Sequence, residues 1–215
     1  MKIALIGATG FVGSAVLKEL LARGHEVRAL VRDPAKLASQ PGLQTVKADV
    51  TDASAVAESV RGVDAVISAY NPGWGHADLH DEFLRGSAAI NAGVKAAGVR
   101  RLLVVGGAGS LYIAPGVQLV DTPAFPAEWK AGALAAREAL NRLKTDEGLG
   151  LDWTFLSPAM HLEPGERTGV YRLGRDEPVF DAEGHSRVTV ADLAAALVAE
   201  AEQPQFVRQR FTLGY

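Results

Sequence analysis

The chain has 215 residues, 48% of them hydrophobic, and a formal net charge of −3. That length supports one α/β domain with a sizeable core, spanning 1–215, and that composition argues against global disorder. The charge leaves no broad basic surface for nucleic acid. The absence of cysteine excludes disulfides, thiolate metal sites and cysteine nucleophiles, and no apolar run approaches the ~20 residues that cross a bilayer. The apolar run after Lys2 is too short for a secretory signal, so a cytoplasmic monomer or homodimer is expected.

In chain order, residues 2–6 read as a buried strand. Val12, Val16, Leu17, Leu20 and Leu21 then recur at helical spacing, with Gly24 as the terminator. Strands follow at 26–31, 43–47, 63–67 and 101–105, with helical segments at 34–38, 53–60 and 78–97. Such alternation implies right-handed crossovers and a parallel sheet covered on both faces. Residues 106–125 read as a loop across the carboxyl edge of the sheet, followed by a long helix at 126–145 and a strand at 151–156. A hairpin around 169–173, a short strand near Val188, a helix at 191–202 and a strand at 206–212 complete a small lobe from about 157. Thr189 and Asp192 have the spacing of a reciprocal helix-start pair. The expected fold is a doubly wound, Rossmann-like α/β sheet.

Between the first strand and first helix stands Gly7-Ala8-Thr9-Gly10-Phe11-Val12-Gly13. A glycine-rich turn that opens a helix presents backbone N–H groups to a dinucleotide pyrophosphate. The spacing is Gly-x-x-Gly-x-x-Gly, which points to relatives of the short-chain dehydrogenases. Thr9 can add a hydroxyl, and Phe11 and Val12 supply helix-start donors. At the end of the second strand a carboxylate would select NAD(H), whereas an arginine favours the 2′-phosphate of NADP(H). Arg32 stands there, so NADP(H) is the expected cofactor and NAD(H) the second choice; Asp33 before Pro34 suits a helix cap. Asp49 and Val50, after the third strand, fall where the adenine edge would lie, and Asp49 or Asp52 is equally suited to cap the next helix.

Short-chain dehydrogenases exchange a proton through a Tyr-x-x-x-Lys pair on the helix after the fifth strand. No such pair exists: Trp74, Gly116 and Arg175 follow Tyr70, Tyr112 and Tyr171 at that spacing, and Pro126 precedes Lys130. The usual alcohol dehydrogenase chemistry is therefore not expected.

The glycine turn, Leu30-Val31-Arg32-Asp33, Gly106-Gly107-Ala108-Gly109-Ser110 and Leu156-Ser157-Pro158-Ala159-Met160-His161 together resemble the atypical short-chain dehydrogenase/reductase, NAD(P)H-binding family. The tract 164–171 and the ending 210–215 are similar to its bacterial NADH-flavin reductases, and more distantly to biliverdin reductase B. The resemblance spans the chain. It implies a nicotinamide near Ser68, Ala69, Gly106 and Pro158, with a flavin (FMN or FAD) or similar planar acceptor as a substrate stacked on it. It also implies acceptor-site roles for Ser110 and His161. Hydride transfer to a flavin tolerates the missing pair, because reduced flavin takes its proton from solvent. The alternatives are a nucleotide sensor without turnover and a sugar-nucleotide epimerase or dehydratase.

Weaker signals remain. His76 and His80 share a helical face, but a solvated first turn is favoured over a metal site. Tyr70 and Trp74 are candidate rim residues for the acceptor, and Trp129 and Trp153 read as core.

Overall fold

The computed structural model describes the whole chain, Met1–Tyr215. Its principal sheet is built from β1 (Lys2–Ile6), β2 (Glu26–Val31), β3 (Leu43–Lys47), β4 (Ala65–Ser68), β5 (Arg101–Val105), β8 (Asp152–Ser157), β10 (Arg172–Gly174) and β12 (Gln209–Gly214). The order is β3-β2-β1-β4-β5-β8-β12-β10, parallel throughout except for β10 on the edge. Two small ribbons stand apart, β6 (Tyr112–Ala114) with β7 (Val117–Gln118), and β9 (His161–Glu163) with β11 (Arg187–Thr189). The helices are α1 (Phe11–Ala22), α2 (Ala53–Val60), α3 (Leu79–Ala96), α4 (Ala127–Lys144) and α5 (Val190–Glu202).

Alternate residues of the central strands feed two cores. Ile3 and Leu5 of β1 meet Val16, Leu17 and Leu20 of α1 and Leu193 and Leu197 of α5. Ala4 and Ile6 point the other way, into Val56, Val60, Ile90, Val94 and Leu140 of α2, α3 and α4. Burial on both faces is why these strands read as continuous apolar runs. Strand order reverses between β1 and β4, and such a switch point opens a crevice at the carboxyl edge of the sheet. No helix is long and apolar enough to cross a membrane.

Several boundaries differ from the sequence reading. The helix expected at 34–38 is a single 3-10 turn, Pro34–Lys36, capped by Asp33. The fourth strand begins at Ala65. The loop 106–125 contains the β6–β7 ribbon and two 3-10 turns. No local hairpin forms at 169–173; β10 instead pairs with β12. The last strand begins only at Gln209, after Arg208 turns the chain with φ +55°. Segment 157–215 therefore completes the main sheet as well as forming a lobe. Trp153 is buried as expected, but Trp129 is 52% exposed. It stands in the first turn of α4, ahead of the buried stripe Gly132, Ala133, Ala136 and Leu140.

The closing segments are pinned by Asp192, which is fully buried. Its carboxylate accepts from the Thr168 N–H (3.0 Å), the Thr168 hydroxyl (2.7 Å), the Gly169 N–H (2.8 Å) and the Tyr215 hydroxyl (2.7 Å). Half of the expected reciprocal pair forms: the Thr189 hydroxyl caps the Asp192 N–H, while the Thr189 N–H donates to Tyr215. Burial alone would raise the Asp192 pKa, but the donors from Thr168, Tyr215 and Gly169 outweigh it and hold the carboxyl below its ordinary 3.8. Since the folded-state value lies below the unfolded one, this stabilisation is complete above pH 3.8 and is lost as pH falls through the folded-state value. Asp192→Asn should cost about 3 kcal/mol at neutral pH and flatten the acid limb of stability, as measured by denaturant unfolding at stepped pH. An unchanged acid limb would contradict this role.

Candidate functional site

The crevice is organised by the turn from β1 into α1. Gly7 adopts φ +83°, and a Cβ there would overlap the Ala69 carbonyl beyond β4. A Cβ at Gly13 would lie within the Gly7 carbonyl group. Gly10 closes the turn by donating its N–H to the Gly7 carbonyl (2.9 Å) and forms the extended N-cap of α1. The first helical acceptor is the Gly10 carbonyl, which receives Ser14 N–H at 2.8 Å. The N–H groups of Phe11, Val12 and Gly13 thus meet no partner within the protein, and the first turn of α1 carries neither a capping side chain nor a carboxylate. This cradle fits a pyrophosphate: bare N–H donors at the positive end of a helix, with backbone close enough that only glycine is accommodated. Thr9 and Phe11 are exposed at its mouth, while Val12 is half-buried.

The other predicted residues lie along the same edge. Ala69 N–H donates to the Ile6 carbonyl (3.0 Å) and Gly106 N–H to the Leu156 carbonyl (2.8 Å), which aligns the ends of β1, β4, β5 and β8. Ser68 is buried, whereas Ala69, Gly106 and Pro158 are half-buried. Gly106 is obligatory for space, since a side chain there would collide with the Phe155 ring.

At the far end, Arg32 is exposed and free of any protein partner, because neighbouring Asp33 accepts from the Ala35 N–H. Asp49 is tied to the N–H and hydroxyl of Thr51 (2.9 and 2.7 Å). Those bonds, reinforced by the charges of Arg85 and Arg32, hold its carboxyl below the usual range. Asp52, not Asp49, caps α2. Tyr70 lies flat on α3 where Gly86 lacks a side chain, and its hydroxyl donates to the Glu82 carbonyl at 3.1 Å. Burial, then the Glu82 carboxylate, raises its pKa and keeps it a neutral phenol.

Ser110 and His161 stand on different elements and share no hydrogen bond. Ser110 is buried, and both its hydroxyl and its carbonyl accept from Arg210 Nη1 (2.9 and 2.8 Å). His161 is exposed on β9, outside the main sheet. The Ser110 hydroxyl, expected at the acceptor site, is thus partly engaged within the protein. One lone pair is taken by a guanidinium arriving from β12, a hundred residues away in sequence. The pairing of Arg210 with Ser110 and Asp176 has no local signal in the sequence beyond an arginine opening the run Phe211-Thr212-Leu213.

His76 Nδ1 accepts from the Asp78 N–H, and His80 Nδ1 pairs with Asp81 (2.8 Å), so both are occupied locally. No group of three or more His, Cys, Asp or Glu side chains is arranged to hold a metal ion. Trp74 is 60% exposed and rests on Gly132 of α4.

The profile of a protein family described as NAD(P)H-binding matches residues 7–204. The uncharacterised protein YwnB of Bacillus subtilis is 41% identical over 216 residues, which cover 99% of this chain and 98% of that protein. A solved structure from Bacteroides thetaiotaomicron, provisionally described as an epimerase, shares 48% identity at a TM-score of 0.92, covering 100% of this chain and 96% of that one. One from Streptococcus pneumoniae, provisionally described as an NADH-flavin reductase, shares 36% identity at a TM-score of 0.87, covering 100% and 99%.

The cradle sets an order of tolerance. Gly10→Ala brings a methyl to 3.4 Å from the Gly7 carbonyl and should cost less than about 1 kcal/mol. Gly13→Ala forces the backbone apart, which should cost roughly 1–3 kcal/mol and abolish detectable nucleotide binding in calorimetry. Equal binding by the two variants would contradict the cradle geometry.

Proposed function

The chain belongs to the NAD(P)H-binding family, and from that premise we propose that it is an NADPH-dependent oxidoreductase whose acceptor is a flavin or a similar planar molecule. The observation that carries this reading is the α4 face. Lys130 there is exposed, and Pro126 occupies the position where a catalytic tyrosine would precede it. A reaction run beside that helix needs an acceptor that does not depend on a protein acid.

When bound, NADPH supplies a hydride to the flavin ring, and solvent supplies the proton, giving NADP⁺ and reduced flavin. The task left to the chain is alignment and exclusion of water. Phe11 and Val12 would hold the pyrophosphate through their N–H groups. Arg32 would take the 2′-phosphate with its forked guanidinium, and Asp49 and Val50 would border the adenine. The ends of β4, β5 and β8, at Ser68, Ala69, Gly106 and Pro158, would form the floor under the nicotinamide. In this reading Ser110 shapes that floor through its bonds to Arg210, and exposed His161 borders the acceptor without delivering a proton.

The resemblance to the Streptococcus protein supports this reading. The description of the Bacteroides relative as an epimerase favours a second one, sugar-nucleotide epimerisation, which would need the acid–base pair that α4 lacks.

Purified protein should oxidise NADPH when FMN is supplied, and NADH more slowly, in an absorbance assay. Arg32→Asp should reverse that preference by about 100-fold in kcat/KM ratio, the scale of losing a charge-assisted pair and adding a repulsion. Nucleotide binding without turnover on any flavin would favour the sensor, and an unchanged preference would remove Arg32 from its assigned role.

A further inference from the structure

We propose that Arg85 of α3 is a second cation of the 2′-phosphate site, so that discrimination between NADPH and NADH is shared between Arg32 and Arg85. This rests on the nicotinamide-nucleotide reading above and assigns a further specificity residue to it.

Residues 85, 89, 92 and 96 lie on one side of α3. Ala92 and Ala96 share a shallow groove with Ala53, Ser54 and Ala57 of α2, so this stripe faces α2. Arg85 lies seven residues before Ala92, which places it about 10 Å nearer the helix start. That is beyond the first turn of α2, beside the Asp49–Val50 corner that ends β3.

The same turn of α3 is anchored to the cleft by Tyr70. The Tyr70 ring lies on Gly86, its hydroxyl bonds to Glu82, and its ring packs 6.0 Å from that of Phe83. Tyr70 directly follows Ala69, whose carbonyl packs on Gly7. Tyr70 and Val50 also rest on the same core. Arg85 is thus held at the adenosine end of the crevice. β2 and β3 pair through Val31 and Lys47, so Arg32 and Asp49 leave the sheet on neighbouring strands, and the charges of Arg85 and Arg32 both act on Asp49.

Charge balance explains why two are needed. A phosphate monoester carries about −1.5 to −2 near neutral pH, and Asp49 adds a negative charge beside it. Arg32 alone leaves that sum uncompensated. NADH has a neutral hydroxyl in this place and gains little from either arginine. Arg85 can serve, because its side chain is 62% exposed and only Nη2 is engaged, with Glu82 at 2.7 Å. A surface pair of that kind contributes little and exchanges readily for a phosphate.

The test is titration of the intact protein with NADPH, NADH, 2′,5′-ADP and ADP by calorimetry, comparing wild type with Arg85→Gln and Arg85→Lys. Arg85→Gln should weaken NADPH and 2′,5′-ADP by about tenfold, a typical value for one charge-assisted contact, and leave NADH and ADP within about twofold. Arg85→Lys should recover most of the loss, and raised salt should shrink it. Equal losses for phosphorylated and unphosphorylated ligands would make Arg85 an adenine-stacking residue and overturn the assignment, as would no loss at all. Wild-type protein that binds none of the four would instead overturn the nicotinamide-nucleotide reading itself, and this assignment with it.

Discussion

One backbone-on-backbone contact governs this molecule, the approach of Gly13 in α1 to the carbonyl of Gly7 at the end of β1. It sets how closely the first helix lies on the sheet and aims the bare N–H groups of Phe11, Val12 and Gly13 at the carboxyl edge. The adjoining contact between Gly7 and Ala69 draws the end of β4 to the same point. Because β1 lies where the strand order reverses, the helix dipole, the free donors and the crevice coincide. Placing anion-binding groups at a topological switch point needs no side chain and leaves the surrounding residues free to choose ligands.

Those residues divide the crevice into two chemically different ends. At one end lie exposed Arg32 and Asp49 and half-buried Tyr70, joined in the proposed assignment by Arg85, a set that would read a ribose and its phosphate. At the other lie the half-buried Ala69, Gly106 and Pro158, with the buried Arg210–Ser110 contact a few residues beyond Gly106. Burying a guanidinium is costly unless its donors are satisfied, and Arg210 spends them on Ser110 and Asp176. Its effect is to fasten the turn after β5 to the last strand. Rigidity there would suit the proposed reaction, which depends on stacking two rings more than on moving a proton.

Much of this was legible in the sequence because it is local. The glycine turn, the buried runs of β1, β2 and β4, and the terminator Gly24 each depend on residues a few positions apart. Arg32 and Asp49 fall at strand ends, so their place at the carboxyl edge follows once the strands are known. What escaped was non-local. β10 takes its partner from β12, and Ser110 meets Arg210 across a hundred residues. Asp192 looked like a helix cap, but its carboxylate also gathers Thr168, Gly169 and Tyr215. Trp129 has the composition of a core residue, and only its position in the first turn of α4 leaves it exposed.

The most direct test of the account is a crystal structure with NADP⁺ bound. It predicts the pyrophosphate on the N–H groups of Phe11 and Val12, the 2′-phosphate beside Arg32, and the nicotinamide above Gly106 and Pro158 with an open planar face beside it. A nucleotide bound away from the Gly7–Gly13 turn, or a nicotinamide walled off from any acceptor, would contradict it.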